Sequence, residues 1–277
     1  MQQADPAAIT EELEADLLLE AVFQRYGFDF RAYERTALGR KIRALMASRS
    51  LATISQLQDR VLHDADTLAA LLRVLSVRQG HLFDDPQQAH FLRAALAASL
   101  RGSALPRVWL PECGGAEEAW ALAILLADER LDARTEIFAT VANEEVLAAA
   151  LNASIATECL PEYQENYMKS GGTARLADHF DIEGKRAVLK AHLRSRITWA
   201  QYNLVTDASF NEFHLILCRR ALADFGPLLR QKTLGLFHDS LALFGVLGLD
   251  RELDDSDALH ANYTAVFAHQ PWYKRVR

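Results

Sequence analysis

The chain of 277 residues contains few cysteines and no long apolar run, and each absence excludes a class of protein. Its three cysteines, Cys113, Cys159 and Cys218, are widely separated, so we expect neither a disulfide framework nor a cysteine-rich zinc site. No apolar stretch reaches the roughly 20 residues that a membrane-spanning helix needs. The amino-terminal stretch is acidic and lacks the apolar core of a signal peptide. We therefore expect a cytoplasmic protein without membrane insertion.

A net positive charge and the common catalytic motifs are also missing. The formal charge is −7, which does not favour nucleic acid as a partner. The sequence contains no HExxH, P-loop or GxSxG pattern, and its nine histidines show no paired metal-ligand spacing. We therefore expect no metal site.

Hydrophobic periodicity divides the chain into two parts. Up to about residue 103 the apolar residues recur at helical spacing, which predicts an all-helical domain over residues 1–103. From residue 104 to 277, short apolar runs alternate with helical patterns, as in an α/β domain with a mostly parallel sheet. The predicted strands are 108–110, 137–141, 197–199, 213–218, 244–249 and, more weakly, 265–268. Residues 161–196 show little patterning and are interpreted as an insertion of mixed structure.

A turn after the first predicted strand is the strongest candidate for a ligand site. Ligands of open α/β sheets lie beyond the carboxyl ends of the strands. Cys113, Gly114 and Gly115 form this turn, and Glu117 opens the next helix. Glycine lets a backbone approach a ligand closely, and the helix offers free N–H groups. A plain strand-to-helix turn explains the same residues, and the spacing alone does not decide between the two.

Asn143 follows the second predicted strand. Rossmann-like domains that bind nucleosides often carry an acidic residue near this place, where it bonds the ribose hydroxyls. Asn143 could bond one hydroxyl, although capping of the next helix is the favoured interpretation.

A basic stripe lies in the amino-terminal part. It consists of Arg31, Arg35, Arg40, Lys41 and Arg43. The apolar residues of the same segment occupy the other face of the predicted helix. The stripe could bind an acidic helical partner by charge complementarity, and a solvated helix face is the alternative.

Five blocks follow one another in a fixed order along the chain: GFDFRAYERTALGRKIRALM, LLRVLSVRQGHLFDDPQQAHFLR, RVWLPECGGAEEAWALAILLADE, QYNLV and FHLILCRRALADF. Together they resemble the CheR family of chemotaxis receptor methyltransferases. The second lies where the family has its catalytic Thr-x-Phe-Phe-Arg-Asp-Pro segment. The third resembles Trp-Ser-Ala-Gly-Cys-Ser-Thr-Gly-Glu-Glu-Pro-Tyr-Ser. The resemblance covers most of the chain, from about Tyr26 to the last strand.

This resemblance implies a Rossmann-like methyltransferase domain that binds S-adenosylmethionine (SAM) or its product S-adenosylhomocysteine (SAH). The family transfers the methyl group of SAM to receptor glutamates, so chemoreceptor cytoplasmic helices or other signalling proteins are the implied partners. Glu117 and the pair Asn203-Leu204 match positions that contact SAM in the family.

Several family residues are replaced in this chain. Gly80 replaces the family's catalytic threonine, and Arg78 replaces an asparagine. Asp84 replaces the arginine that binds the SAM carboxylate in the family. In the Cys-Arg-Asn block the asparagine is replaced by Arg220. Lost charged hydrogen bonds cost roughly 1.5–3 kcal/mol each, so SAM binding should weaken unless Arg78 or Arg220 holds the carboxylate instead.

Three functions therefore remain open from the sequence. The first is a divergent, active protein-glutamate O-methyltransferase of bacterial signal transduction. The second is a pseudoenzyme scaffold that binds receptors or signalling proteins without catalysis. The third is a small-molecule sensor whose altered pocket takes another ligand.

Overall fold

The structure is a computed structural model that describes residues 6–76, 78–209, 211–253, 257 and 259–277. Two compact units divide the chain: residues 1–77 with 223–232, and residues 78–222 with 233–277. The expected boundary at 103/104 differs from this division. Helix Pro86–Leu100 has helical periodicity like the segments before it, but its apolar face packs in the core of the second unit.

The first unit is helical, as the sequence predicts. Its helices are α1 (Pro6–Tyr26), α2 (Arg35–Ser48), α3 (Ile54–His63) and α4 (Ala65–Leu75). Polar side chains cap three of them, because Glu34, Thr53 and Asp64 accept hydrogen bonds from free N–H groups at the starts of α2, α3 and α4. Buried apolar residues of all four helices form one core cluster.

The second unit contains the α/β fold. Its helices are α5 (Pro86–Leu100), α6 (Ala116–Asp128), α7 (Glu144–Leu151), α8 (Leu160–Lys169) and α9 (Ala191–Arg194), and α10 (Pro227–Ser240) ends in it. The strands are β1 (Arg107–Leu110), β2 (Glu136–Val141), β3 (Ile155–Ala156), β4 (Phe180–Glu183), β5 (Arg186–Leu189), β6 (Ile197–Gln201), β7 (Phe213–Cys218), β8 (Leu241–Leu249), β9 (Tyr263–Ala265) and β10 (Trp272–Arg275).

Seven strands form the main sheet in the order β6-β2-β1-β7-β8-β10-β9. The pairs from β6 to β8 are parallel, and β10 pairs antiparallel with β8 and β9. The predicted, mostly parallel Rossmann-like sheet is thereby confirmed. The chain runs from β1 outward through β2 to β6 and then returns to β7, so the strand order reverses between β1 and β7. This is the point where open α/β sheets bind ligands.

The region interpreted as an insertion is structured. Within it lie α8, β4, β5 and α9, and β3 precedes it. The strands β3, β5 and β4 form a separate antiparallel sheet. The sequence did not predict these strands because β3 has two residues and β4 and β5 have four each, too few for a clear alternating pattern, and β4 buries Phe180 alone.

Candidate functional site

The turn between β1 and α6 presents an open glycine at the strand-order reversal. Gly115 has φ +118° and ψ −176°, a conformation that other residues rarely adopt. A Cβ atom added to Gly115 would meet no atom within 4 Å. No side chain caps the N-terminus of α6. The turn therefore leaves room and free N–H groups for a carboxylate or hydroxyl group of a ligand.

Gly114, in contrast, is enclosed by its neighbours. An added Cβ would lie 2.9 Å from the carbonyl oxygen of Arg78 and from the Glu118 carboxylate, and 3.0 Å from the nitrogen of Gly80. The Gly80 N–H donates to the Gly114 carbonyl at 3.1 Å, and the Gly114 N–H donates to Glu118 at 2.8 Å. Glycine at position 114 thus lets the segment before α5 lie directly on the turn.

A cluster of charged side chains supports this turn. Glu118 Oε2 lies 3.6 Å from Arg220 Nε, and an Arg220 terminal nitrogen donates to Asp84 at 2.6 Å. Burial raises the pKa of Glu118, and the Arg220 guanidinium opposes the rise. The positive charge of Arg220 therefore compensates the negative charges of Glu118 and Asp84.

The cluster links three departures from the family sequence. A Cβ at Gly80 would lie 2.8 Å from an Arg220 nitrogen, so the Arg220 guanidinium fills space that the family's threonine side chain would need. The family has an arginine at position 84 and an asparagine at position 220; this chain has Asp84 and Arg220, and they pair. The positive charge of this pair thus lies at position 220 in this chain, whereas it lies at position 84 in the family. Arg220 already pairs with Asp84 and lies near Glu118, and the Arg78 side chain is exposed. The hypothesis that either arginine holds the SAM carboxylate stays a prediction.

The Glu117 carboxylate contacts neighbouring residues of the protein. Its carboxylate accepts a hydrogen bond from the Leu82 N–H at 2.9 Å and lies 3.7 Å from His81 Nδ1. It holds the segment before α5 at the amino end of α6. Its assignment as a SAM contact stays a prediction.

The other predicted residues lie at neighbouring strand ends. Asn143 caps α7 by accepting from the Val146 N–H at 2.9 Å, as the favoured interpretation has it. Asn203 follows β6, and its side-chain oxygen accepts from the Val205 N–H at 2.8 Å. Leu204 is buried. Their roles in ligand binding remain predictions.

A cavity of about 210 Å³ opens beside the glycine turn. It is lined by residues 79–80, by the turn at 114–117, by Trp120, by one face of α7 and by residues 153–154. Pockets for small ligands usually measure roughly 300–1,000 Å³, so this cavity suits part of a SAM molecule. The open Gly115, the uncapped helix end and the aromatic wall fit such a ligand.

Sequence reasoning missed Glu112, which directly follows Pro111 at the end of β1. Glu112 is 8% exposed and has φ +48°. The family motif has glycine at this position, which tolerates that backbone conformation. The signal in the sequence was this replacement of glycine by glutamate.

The basic stripe of the helical unit is paired with acidic residues of α1 and its surroundings. Arg35 lies 2.5 Å from Asp16, Arg43 2.5 Å from Glu11, and Arg31 2.9 Å from Glu20 and from Asp29. Lys41 lies 2.6 Å from Asp224 of the same unit, and Arg40 is exposed. Internal carboxylates thus already neutralise most of the stripe, and a role in partner binding stays a prediction.

The second unit has a Rossmann-like α/β fold, and it follows an all-helical unit along the chain. Residues 78–265 match the family described as CheR methyltransferase, SAM binding domain, and residues 13–76 match CheR methyltransferase, all-alpha domain. The chain therefore belongs to the CheR methyltransferase family. Both matches meet at the boundary between the two compact units.

Two curated relatives and one solved structure illustrate the similarity. The chain is 35% identical to Putative methyltransferase Cher3 of Pseudomonas putida over 88% of this chain and 90% of the relative. It is 24% identical to Chemotaxis protein methyltransferase of Listeria innocua over 89% and 94%. A solved O-methyltransferase family protein from Burkholderia thailandensis is 16% identical over 92% and 69%, with a TM-score of 0.40.

None of the helices in the described residues is long and apolar enough to cross a membrane. These residues also contain no group of three or more His, Cys, Asp or Glu side chains arranged to hold a metal ion.

Proposed function

We propose that the chain binds SAM at the glycine turn and methylates glutamate side chains of chemoreceptors or related signalling proteins in the cytoplasm. The observation that carries this proposal is the open Gly115 at the strand-order reversal, followed by the uncapped N-terminus of α6. The names of the two relatives, a putative methyltransferase and a chemotaxis protein methyltransferase, support the substrate class.

The residues of the site have separable tasks in this proposal. The backbone at Gly115 and the first N–H groups of α6 bind polar groups of the cofactor. Glu118, Arg220 and Asp84 hold the turn and the segment before α5 in position. Bound SAM supplies an electrophilic methyl group. Most of the acceleration then comes from orienting the acceptor carboxylate and from excluding water.

Isothermal titration with SAM and SAH tests the binding step. We expect micromolar affinity for at least one of them, and a loss of at least tenfold in Gly115→Val, whose side chain enters the open space. Gly184→Val is the matched control, because Gly184 also has a positive φ and open surroundings but lies in the turn between β4 and β5. The next measurement is methyl transfer from labelled SAM to a chemoreceptor fragment. Absence of binding at millimolar SAM and SAH would contradict the proposal.

A second function is favoured by the pairing of Asp84 with Arg220. This pair places a carboxylate at the family's arginine position and neutralises the relocated guanidinium. A scaffold that binds receptors without methylating them, or a sensor for another small molecule, would tolerate this change. Receptor binding in the absence of SAM binding would identify the scaffold, whereas binding of a different metabolite would identify the sensor.

A further inference from the structure

A second cavity lies between α6, α7 and β6, and β6 is an edge strand of the main sheet. The cavity measures about 140 Å³ and shares Trp120, Ala150 and Ala153 with the cavity beside the glycine turn. Its other lining residues are Leu151, Arg194, Ile197 and Trp199. An apolar cavity of roughly 150 Å³ is large enough to bind benzene, so this space suits one aromatic ring.

The composition of α7 explains why this space is not filled. Residues 148–150 of the helix are three consecutive alanines, and Ala153 follows the helix. An alanine side chain ends at its Cβ atom, so α7 brings little volume against the neighbouring helix and strand. Two indole rings form the walls instead, since Trp120 of α6 is 3% exposed and Trp199 of β6 is partly buried. Indole rings contact other aromatic rings in offset or edge-to-face geometry, which favours an aromatic ligand.

The same two tryptophans have free polar groups. Neither the Trp120 nor the Trp199 indole N–H donates a hydrogen bond to any residue that the structure describes. The other two tryptophans differ, because the Trp109 N–H donates to a threonine hydroxyl at 2.9 Å and the Trp272 N–H to a glutamine side chain at 3.0 Å. A buried indole N–H ordinarily has such a partner. An acceptor atom on a bound ligand would supply one at this cavity.

Arg194 gives the cavity a positive charge. Among the described residues that line the cavity, it is the only charged one. Its guanidinium forms neither an ion pair nor a hydrogen bond within the described ranges of the chain. The segment 190–196 contains no acidic residue and three further basic ones, Lys190, His192 and Arg196. The local charge therefore favours an anion, and a guanidinium binds a carboxylate through strong, charge-assisted hydrogen bonds.

We propose that this cavity is a binding site for a small aromatic monocarboxylate. The ring lies against the indoles of Trp120 and Trp199, and the carboxylate pairs with the Arg194 guanidinium. A cavity of this size holds one ring, and one free guanidinium compensates one negative charge. The proposal is independent of the proposed function, because Arg194 and Trp199 are not lining residues of the cavity beside the glycine turn.

Isothermal titration of the full chain with benzoate, benzamide and acetate tests the chemistry of the site. We expect a benzoate dissociation constant on the order of 1 mM, as for a ligand of few atoms. Benzamide keeps the ring without the charge, and acetate keeps the charge without the ring, so both should bind at least about tenfold more weakly. Absence of benzoate binding at ten times the expected constant, or equal binding of benzamide, would overturn the proposal.

Three variants locate the site. Arg194→Gln should weaken benzoate binding by about tenfold and leave benzamide binding within about twofold, because only benzoate loses a charged hydrogen bond. Arg196→Gln is the matched control, since Arg196 is exposed and is not a lining residue, and it should bind benzoate like the wild type. Gly115→Val, which obstructs the glycine turn, should also keep benzoate binding within about twofold. Loss of benzoate binding in Gly115→Val alone would place the acid at the glycine turn and overturn the assignment.

Nuclear magnetic resonance of the four indole N–H groups gives a readout at the cavity itself. We expect benzoate to shift the Trp120 and Trp199 signals, whose N–H groups are free, and to leave those of Trp109 and Trp272 in place. Trp199→Phe removes one signal and so identifies it, while retaining an aromatic wall. Benzoate-dependent shifts confined to Trp109 and Trp272, or no shift at a saturating concentration, would contradict the site between α6, α7 and β6.

Discussion

Carboxylates in the two units meet guanidinium groups at similar distances but in different surroundings. In the helical unit, Arg35 and Asp16 lie 2.5 Å apart with half of each side chain exposed. In the α/β unit, Arg220 and Asp84 lie 2.6 Å apart, and the neighbouring Glu118 is only 14% exposed. Water screens the first pair, whereas the second lies in a medium where an uncompensated charge is unfavourable.

The comparison teaches that distance alone does not rank these contacts. Exposed pairs contribute little to folding because solvation and side-chain entropy offset their attraction. Buried acids, by contrast, couple stability to protonation and to the presence of a cation. Substitutions at the β1 strand end should therefore have large effects, and those on the basic helix small ones.

The largest effect is expected for Glu112→Gln. The pKa of Glu112 is raised to about 8 in the folded chain, from an ordinary value of 4.5. Between these values the folded state retains a proton that the unfolded state loses, so stability falls as the pH rises through this window. The wild type should lose on the order of 4 kcal/mol relative to the variant between pH 4.5 and 8. Urea unfolding across this range measures the difference. If the free energies of unfolding of the wild type and the variant changed equally with pH, the raised pKa of Glu112 would be contradicted.

Gly114→Ala should come next. Its Cβ would approach the Arg78 carbonyl oxygen and the Gly80 nitrogen, which are backbone atoms that cannot rotate away. We expect a loss of roughly 2–3 kcal/mol in the free energy of unfolding, because overpacking forces backbone shifts. Gly102→Ala, with no atom within 4 Å of the added Cβ, is the control. Equal stability of the two variants would show that the segment before α5 does not lie on the turn.

Removal of the Arg220 guanidinium should have an intermediate effect. Arg220→Ala leaves Glu118 buried with its main compensating charge gone, so the free energy of unfolding should fall by about 2 kcal/mol at neutral pH. Glu118→Gln in the same chain should restore part of the loss, as a double-mutant cycle in urea would measure. Arg101→Ala, which removes an exposed partner of Glu129, is the matched control. A coupling free energy of zero would show that Arg220 does not compensate the buried charge of Glu118.

Much of the fold follows from local sequence patterns, but the charged site does not. The sequence predicts β7 over its full length because only His214 interrupts its apolar run, as in a strand buried on both faces. β10 was missed because Lys274 and Arg275 interrupt the apolar pattern of this strand. The predicted boundary at 103/104 places helix α5 in the helical domain, whereas its buried residues pack in the core of the second unit, since periodicity identifies a helix but not the core that it packs against.

At the site, the glycine turn could be predicted because glycine has a local conformational role. The coupling of Gly80 with Arg220 could not, since those residues are far apart in sequence and meet only through the fold. Glu112 was overlooked because burial of a charged side chain has no sequence pattern of its own. Its only signal was the family's glycine at that position.

The smallest effect is expected on the basic helix. Arg35→Ala removes an ion pair whose members are both about half exposed, so the melting temperature should change by less than about 2 °C at low salt. Added salt should reduce even this difference, because the Debye length falls to roughly 8 Å at physiological ionic strength. Thermal unfolding at 10 and 300 mM salt measures it, with Arg40→Ala as the control for charge alone. If Arg35→Ala destabilised the chain as much as Arg220→Ala, burial would not explain the difference between the two regions, and the Arg35–Asp16 pair would belong to the structural core of the helical unit.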